Sequence, residues 1–320
     1  MTGSVISGTY SDNNIKNYSH GIFQSVYDYP YLSSSANHIF DLTVGYSPKS
    51  SLSASGNEQN AKKINIYNQM AQILVGHDVT GGILQFDRDG DIVAGGTKIK
   101  EAVFINFARL LTKDEVKKGS FFLQLGTASS WDTPLTEILT LQDAGAQNEF
   151  RINSPAGEYA PLYTSSTGIT ADTGVGLIYY QAGIAVVTAS VFGTNLFSAS
   201  VPAGQSASVD SALTASTIVE FSDSFRRRIA DVDFNNTTEL NSTIYFCRMN
   251  HNEFNYSANP TYLSQSKIRV KNNSLDEPVS YVTSVGLYSA DNELLAVAKV
   301  SEPLKKTPQS ELTLRVRLDY

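Results

Sequence analysis

Apolar and polar positions alternate along much of the second half of the chain. In the closing segment ELTLRVRLDY, Leu312, Leu314, Val316 and Leu318 alternate with Thr313, Arg315, Arg317 and Asp319. A period of two puts an apolar row and a charged row on opposite faces of a strand. From Glu137 onward, segments that read as strands follow one another: EILTLQ, EFRIN, GLIYYQ, GIAVVTASVF, TIVEFS, STIYFCRM, KIRVKN, YVTSVGLYS and ELLAVAKV. They recur every 10 residues or so (roughly the rhythm of a sandwich or barrel), with Gly, Asn, Asp and Pro between them. Ala290-Asp291-Asn292, between GLYS and ELLAV, reads as a tight hairpin loop. Helix is scarce. One window, 60–75, places Ile66, Met70, Ile73 and Leu74 on a single face, with Gly76 at the stop position. The window 101–112 fits an amphipathic helix or a strand; its aromatic and β-branched residues favour strand, turn and a second strand through SFFLQL. The expected fold is mainly β: antiparallel sandwich-like domains with few short helices and an extended N-terminal arm.

Four regions are expected. Residues 1–59 form the arm, 60–150 a mixed, mainly β domain, 151–215 an Ala/Gly/Ser/Thr-rich β insertion, and 216–320 a C-terminal β domain. The arm carries Tyr10, Tyr18, Phe23, Tyr27, Tyr29, Tyr31, Phe40 and Tyr46 without regular spacing. A disordered tail is poor in aromatic residues, so this segment is expected to lie along a surface, either of its own domain or of a neighbouring subunit. The stretch 50–60 reads as a flexible linker. Within 174–215 Asp210 carries the one charge, which suits either an interface with like copies or the buried core of a single chain.

Composition narrows the function classes. Of 320 residues, 41% are hydrophobic and 17% charged, with 17 Tyr, 15 Phe and 1 Trp. A typical soluble domain has about 25% charged residues, and the deficit here is filled by Ser, Thr, Asn and Gly, the makeup of half-buried strands joined by polar turns. A net charge of −7 argues against a general nucleic-acid binder and against adhesion to an anionic membrane. The single Cys247 rules out an intramolecular disulfide framework and any Cys-based metal cluster. The opening MTGSVISGTYSDNN has neither a basic nor an apolar leader pattern, so synthesis and assembly in a cytosol are expected.

The sharpest local pattern is Asp87-Arg88-Asp89-Gly90-Asp91, three carboxylates at alternate positions. An EF-hand needs Gly at its sixth and Glu at its twelfth place, and these hold Ile92 and Lys98. The expected reading is an Asp-Gly turn after GGILQF, with a weak calcium site as the alternative. His20, His38, His77 and His251 do not fall at metal-ligand spacing. Cys247 in STIYFCRM reads as a buried thiol in a core strand rather than a nucleophile served by His251. Arg226-Arg227-Arg228 reads as a solvated run or an inter-subunit ion-pair donor, with phosphate binding as the rival. No residue is assigned a catalytic, cofactor or metal role, and no cofactor is expected.

The phrases VGLYSADNELLAVAKVSEP and LRVRLDY, with NNTTELNSTIYFCRMNHNEFNYSANPTY before them, resemble a C-terminal region of virion structural proteins of large contractile-tailed bacteriophages, marine and cyanobacterial ones among them. GLIYYQAGIAVVTA and FINFARLLTKDEVKKGSFFLQL are similar to further segments of such proteins, so the likeness spans residues 100–320. It implies a β-rich, non-enzymatic subunit of the tail, baseplate or neck. Its partners would be other virion proteins and copies of itself, with no nucleic acid and no membrane, and its place would be the virion. The rivals are a host-recognition or carbohydrate-binding β-sandwich that uses exposed Tyr as a sugar platform and, further off, a glycan hydrolase.

Overall fold

Runs of β-branched and aromatic residues at period two build the main sheet. The computed structural model describes residues 15–28, 37–54, 56, 58–92, 95–130, 133–164, 173–193, 196–198, 206–257, 259–271 and 273–319. The chain divides into two compact units, Met1–Glu239 and Leu240–Tyr320.

The first unit opens with β1 (Ile15–Asn17), β2 (Gln24–Asp28), β3 (Asn37–Tyr46), α1 (Glu58–Leu74), β4 (Glu101–Asn106) and β5 (Glu115–Val116). It continues through β6 (Phe122–Gly126), β7 (Ile138–Gln142), α2 (Ala146–Glu149), β8 (Arg151–Ser154), β9 (Gly157–Leu162), β10 (Gly176–Tyr179) and β11 (Ile184–Thr188). It closes with β12 (Leu196–Ser198), β13 (Ser206–Ser208), α3 (Val209–Ala215), α4 (Ile218–Arg226), β14 (Ile229–Asp233) and β15 (Asn236–Thr237). Eight strands form one antiparallel sheet in the order β1-β2-β3-β4-β11-β10-β9-β8, and β14-β6-β7 form a second. The fold is mainly β, as the alternation predicts.

One contiguous apolar core runs from Val26 to Phe234, wholly inside this unit. α1 packs directly on β3 over Gly45, where a Cβ would stand 2.6 Å from the Lys63 carbonyl oxygen and 2.8 Å from the Tyr67 nitrogen. Only glycine admits that approach. The helix stops at Gly76 (φ +93°), whose N–H reaches back to the Ala71 carbonyl.

Several expectations give way here. TIVEFS is not a strand but the start of α4. The Thr217 hydroxyl accepts from the Glu220 N–H, the Glu220 carboxylate accepts from the Thr217 N–H, and Ile218, Phe221 and Phe225 bury one face. That capping box outweighs the β propensity of Ile and Val. GIAVVTASVF keeps its strand only to Thr188 and then closes into a 3-10 turn over Ala189–Phe192. The α1 face is also rotated: Asn60, Lys63, Ile66, Tyr67, Ala71 and Leu74 are buried, whereas Ile73 is 63% exposed.

The expected boundaries at 59/60, 150/151 and 215/216 all fall inside the first unit. From the expected arm, β1, β2 and β3 are neighbouring strands of its own main sheet, while residues 1–14 and 29–36 lie outside those described. The expected linker supplies a 3-10 turn at Ser51–Ala54, and α1 already begins at Glu58. The expected insertion contributes β8 to β11, where Leu177, Ile178, Tyr179, Ala185 and Val186 are buried within their own chain. The scarcity of charge around β10 and β11 therefore reflects an internal core. Residues 165–172, 194–195 and 199–205 of that stretch lie outside the described ones.

The second unit holds β16 (Ser242–Met249), β17 (Leu263–Ser264), β18 (Lys267–Ile268), β19 (Ser280–Tyr288), β20 (Leu294–Lys306) and β21 (Leu312–Asp319). Among the described residues they pair only as ribbons of two, β16-β21, β17-β18 and β19-β20. KIRVKN is thus cut to Lys267–Ile268. The hairpin expected at Ala290-Asp291-Asn292 joins β19 to β20, with Asn292 at φ +62° and the Ser289 N–H on the Glu293 carbonyl.

Candidate assembly interface

The register of β16 on β21 sorts their side chains into two rows. Thr243, Tyr245, Cys247 and Met249 stand opposite Leu318, Val316, Leu314 and Leu312 on one face. Ile244, Phe246 and Arg248 stand opposite Arg317, Arg315 and Thr313 on the other. A ribbon built this way has an apolar face to bury and a mixed face for water. Burial follows the apolar row only part way: Thr243, Cys247, Leu312, Leu314, Val316 and Leu318 are half-buried and Met249 is buried, while Tyr245 is exposed. Ile244 and Tyr245 are exposed on opposite faces, and Phe246 is 69% exposed.

The second ribbon repeats the pattern. Val282, Val285 and Leu287 pair with Leu304, Ala298 and Ala296. Across the ribbon, Tyr288 and Leu294 lie over Gly286, where a Cβ would stand 2.9 Å from the Tyr288 ring. Gly286 pairs with Val297. Tyr288 is 63% exposed, and Leu294, Leu295 and Val297 are exposed beside it.

Among the described residues of this unit only Met249 and Lys306 are buried. Lys306 is a polar node: its Nζ donates to the His251 carbonyl (3.2 Å), Asn255 Oδ1 (2.8 Å) and the Thr307 carbonyl (2.8 Å). Arg248 pairs with Glu311 at 3.1 Å and holds that carboxyl below its usual range. Both contacts order loops without creating a core. An open cleft of about 580 Å³ remains, lined by Cys247, Met249, Phe254, Tyr256, Tyr281 and Leu314 among others.

Each of the four long strands pairs on one side, which leaves its other backbone edge open among the described residues. A lone two-stranded ribbon is marginal in water and needs further strands or a packed layer. Open edges and uncovered apolar faces are surfaces on which another chain adds strands or side chains.

Residues picked out for other chemistry are placed as follows. Cys247 is half-buried on a two-stranded ribbon, where it lines the cleft, and not in a closed core. Arg226 and Arg228 are buried rather than solvated: Arg226 pairs with Asp223 at 2.7 Å, and Arg228 donates to the Gly126 and Ala128 carbonyls (2.8 and 3.1 Å). The triplet is therefore internal scaffolding, with Arg227 its half-exposed member. Asp87, Asp89 and Asp91 do converge, each offering a carboxylate oxygen within 4.8 Å of the others. A second acidic group, Glu115, Glu158 and Glu239, gathers from distant segments and has no local pattern that would announce it. There the Lys118 ammonium sits 2.9 Å from Glu115 and also pairs with Glu158. Burial raises the Glu115 carboxyl above its usual range, against the pull of Lys118.

No family model, curated protein or solved structure matches the chain. Among the described residues, no helix is long and apolar enough to cross a membrane.

Proposed function

We propose that this protein is a non-enzymatic structural subunit of a tailed-phage virion, in the tail, baseplate or neck, and that residues 240–320 are its assembly module. The single observation that carries the reading is the contrast between the units. The first has a continuous core, while the second buries only Met249 and Lys306 among its described residues. A segment of that size ordinarily buries about 60% of its unfolded surface when it folds by itself. Cover from neighbouring chains, copies of this one and other virion proteins, supplies what it lacks. The phage-like phrasing of residues 240–320 supports the same reading.

A second reading has one observation in its favour. Phe254, Tyr256, Tyr281 and Tyr288 line the cleft, and aromatic rings are the usual platform for sugars. It accounts for one face of the unit and leaves Ile244, Phe246 and the open strand edges unexplained.

Phe246→Asp and Val297→Asp test the proposal. Both side chains are exposed in the single chain, so each variant keeps wild-type stability within about 0.5 kcal/mol. Each should fail to enter particles in a complementation assay. Normal incorporation of both variants would refute the assembly role, and glycan-array binding that they abolish would favour the sugar reading.

A further inference from the structure

We infer that Asp87, Asp89 and Asp91 form a binding site for a divalent cation, calcium by its chemistry, with their carboxylates as ligands. It lies in the first unit and is independent of the assembly role proposed for the second.

Residues 86–88 and 97–99 meet as a closed base. Asp87 and Lys98 face one another as a bridge pair, the Arg88 N–H bonds the Thr97 carbonyl at 3.1 Å, and the Ile99 N–H bonds the Phe86 carbonyl at 2.9 Å. The main sheet pins it from below. The Tyr159 hydroxyl donates to the Gly90 carbonyl at 2.6 Å, and Asn153 Nδ2 donates to the Asp91 carbonyl at 2.8 Å. Tyr159 is itself fully buried and stacked on Tyr179 with ring centroids 5.1 Å apart. The three aspartates are thus carried on fixed backbone, the preorganisation a cation site needs.

Two observations beyond the clustering point to a ligand. Asp87 is 1% exposed, and its Oδ1 has no hydrogen-bond partner, while its Oδ2 meets the Lys98 ammonium. A buried carboxylate oxygen without a donor is costly, and a metal ion satisfies it as a donor does. The second is the space over Gly96. A Cβ there would lie 2.9 Å from Asp87 Oδ1 and 3.0 Å from Asp89 Oδ2, so both oxygens turn toward one small space that a side chain would fill.

Charge and donor type select the ion. Three carboxylates gather there and one ammonium, that of Lys98, meets Asp87, while the Arg88 guanidinium turns to the Ser190 hydroxyl. All-oxygen ligands suit a hard ion, and calcium tolerates the irregular, partly hydrated geometry of a loop with half-exposed Asp89 and exposed Asp91 better than magnesium does. With three carboxylates and water completing the shell, affinity falls on the order of 10⁻⁴–10⁻³ M. Lys98 is the competitor, since its ammonium already holds the other oxygen of Asp87.

The experiment is calorimetric titration of the full-length, EDTA-treated chain with calcium chloride, paired with thermal unfolding at the same concentrations. Wild type should bind saturably below about 10 mM and melt a few degrees higher with calcium. Asp89→Asn should weaken binding at least about tenfold, because it removes a direct ligand. Lys98→Met, which removes the competing ammonium and keeps the chain's length, should bind calcium at least as tightly as wild type. Absence of heat and of any melting shift in wild type would overturn the inference. So would equal binding by Asp89→Asn and wild type, or a Lys98→Met variant that folds but has lost its response to calcium, which would make Lys98 the resident counter-charge.

Discussion

Lys63 sits in the middle of a helix face that hydropathy assigns to solvent, yet it is fully buried. Its Nζ donates to the carbonyls of Leu213 and Ser216, at and just beyond the end of α3, where unpaired carbonyls await donors. Both partners lie far along the chain, so no local pattern announces them; periodicity located α1 but not the turn of its buried face. Burial pulls the Lys63 ammonium down from its ordinary 10.5 to about 8, against the opposing charge of Glu220. Between those values the unfolded chain holds more protons than the folded one, so stability rises with pH across the window. Lys63→Met should remove that rise. Urea midpoints at pH 7.5 and 9.5 check it: the gain at high pH should be larger in wild type than in the variant. The acidic loop was more legible. The alternation of Asp87, Asp89 and Asp91 is visible in sequence, whereas the unpartnered Asp87 oxygen and the space over Gly96 depend on the sheet beneath and on the return strand.

At the scale of elements, alternation served best where strands are long. β21 falls on a segment whose apolar residues recur at every second place, β16, β19 and β20 on segments rich in β-branched and aromatic or aliphatic residues, and the Asn292 turn joins β19 to β20 where the sequence predicts a hairpin. It failed at α4 because Ile, Val and Phe in TIVEFS suit a strand by type, while Thr217 and Glu220 at the box spacing decide for helix. Thr217→Ala should therefore cost about 1 kcal/mol of first-unit stability. Denaturant unfolding followed by far-ultraviolet circular dichroism reads the loss, and an unchanged midpoint would mean that packing of Phe221 and Phe225 alone holds the helix. β16 shows the opposite limit. Its apolar row reads as core in the sequence, but hydrophobicity reports the need for cover and not the chain that provides it. Among the described residues that row is only half-buried, Met249 apart, and Tyr245 stays exposed.

For the molecule as a whole, the β class was legible and the division was not. The boundary after Glu239 carries no Pro/Gly-rich linker, and the apparent shifts in composition at 151 and 216 fall within one continuous core. The low charge of 174–215 suits either a surface for other copies or a core, and β10 and β11 are buried inside the first unit. The case for assembly rests instead on residues 240–320, whose ribbons lack a core. Hydrogen exchange on the free chain and on the assembled particle tests this most directly, because exchange protection reports local stability element by element. In the free chain at high dilution, amides of β16, β19, β20 and β21 should exchange orders of magnitude faster than those of β4, β10 and β11, and assembly should slow them. Equal protection of both units in the dilute chain, unchanged in the particle, would contradict the account.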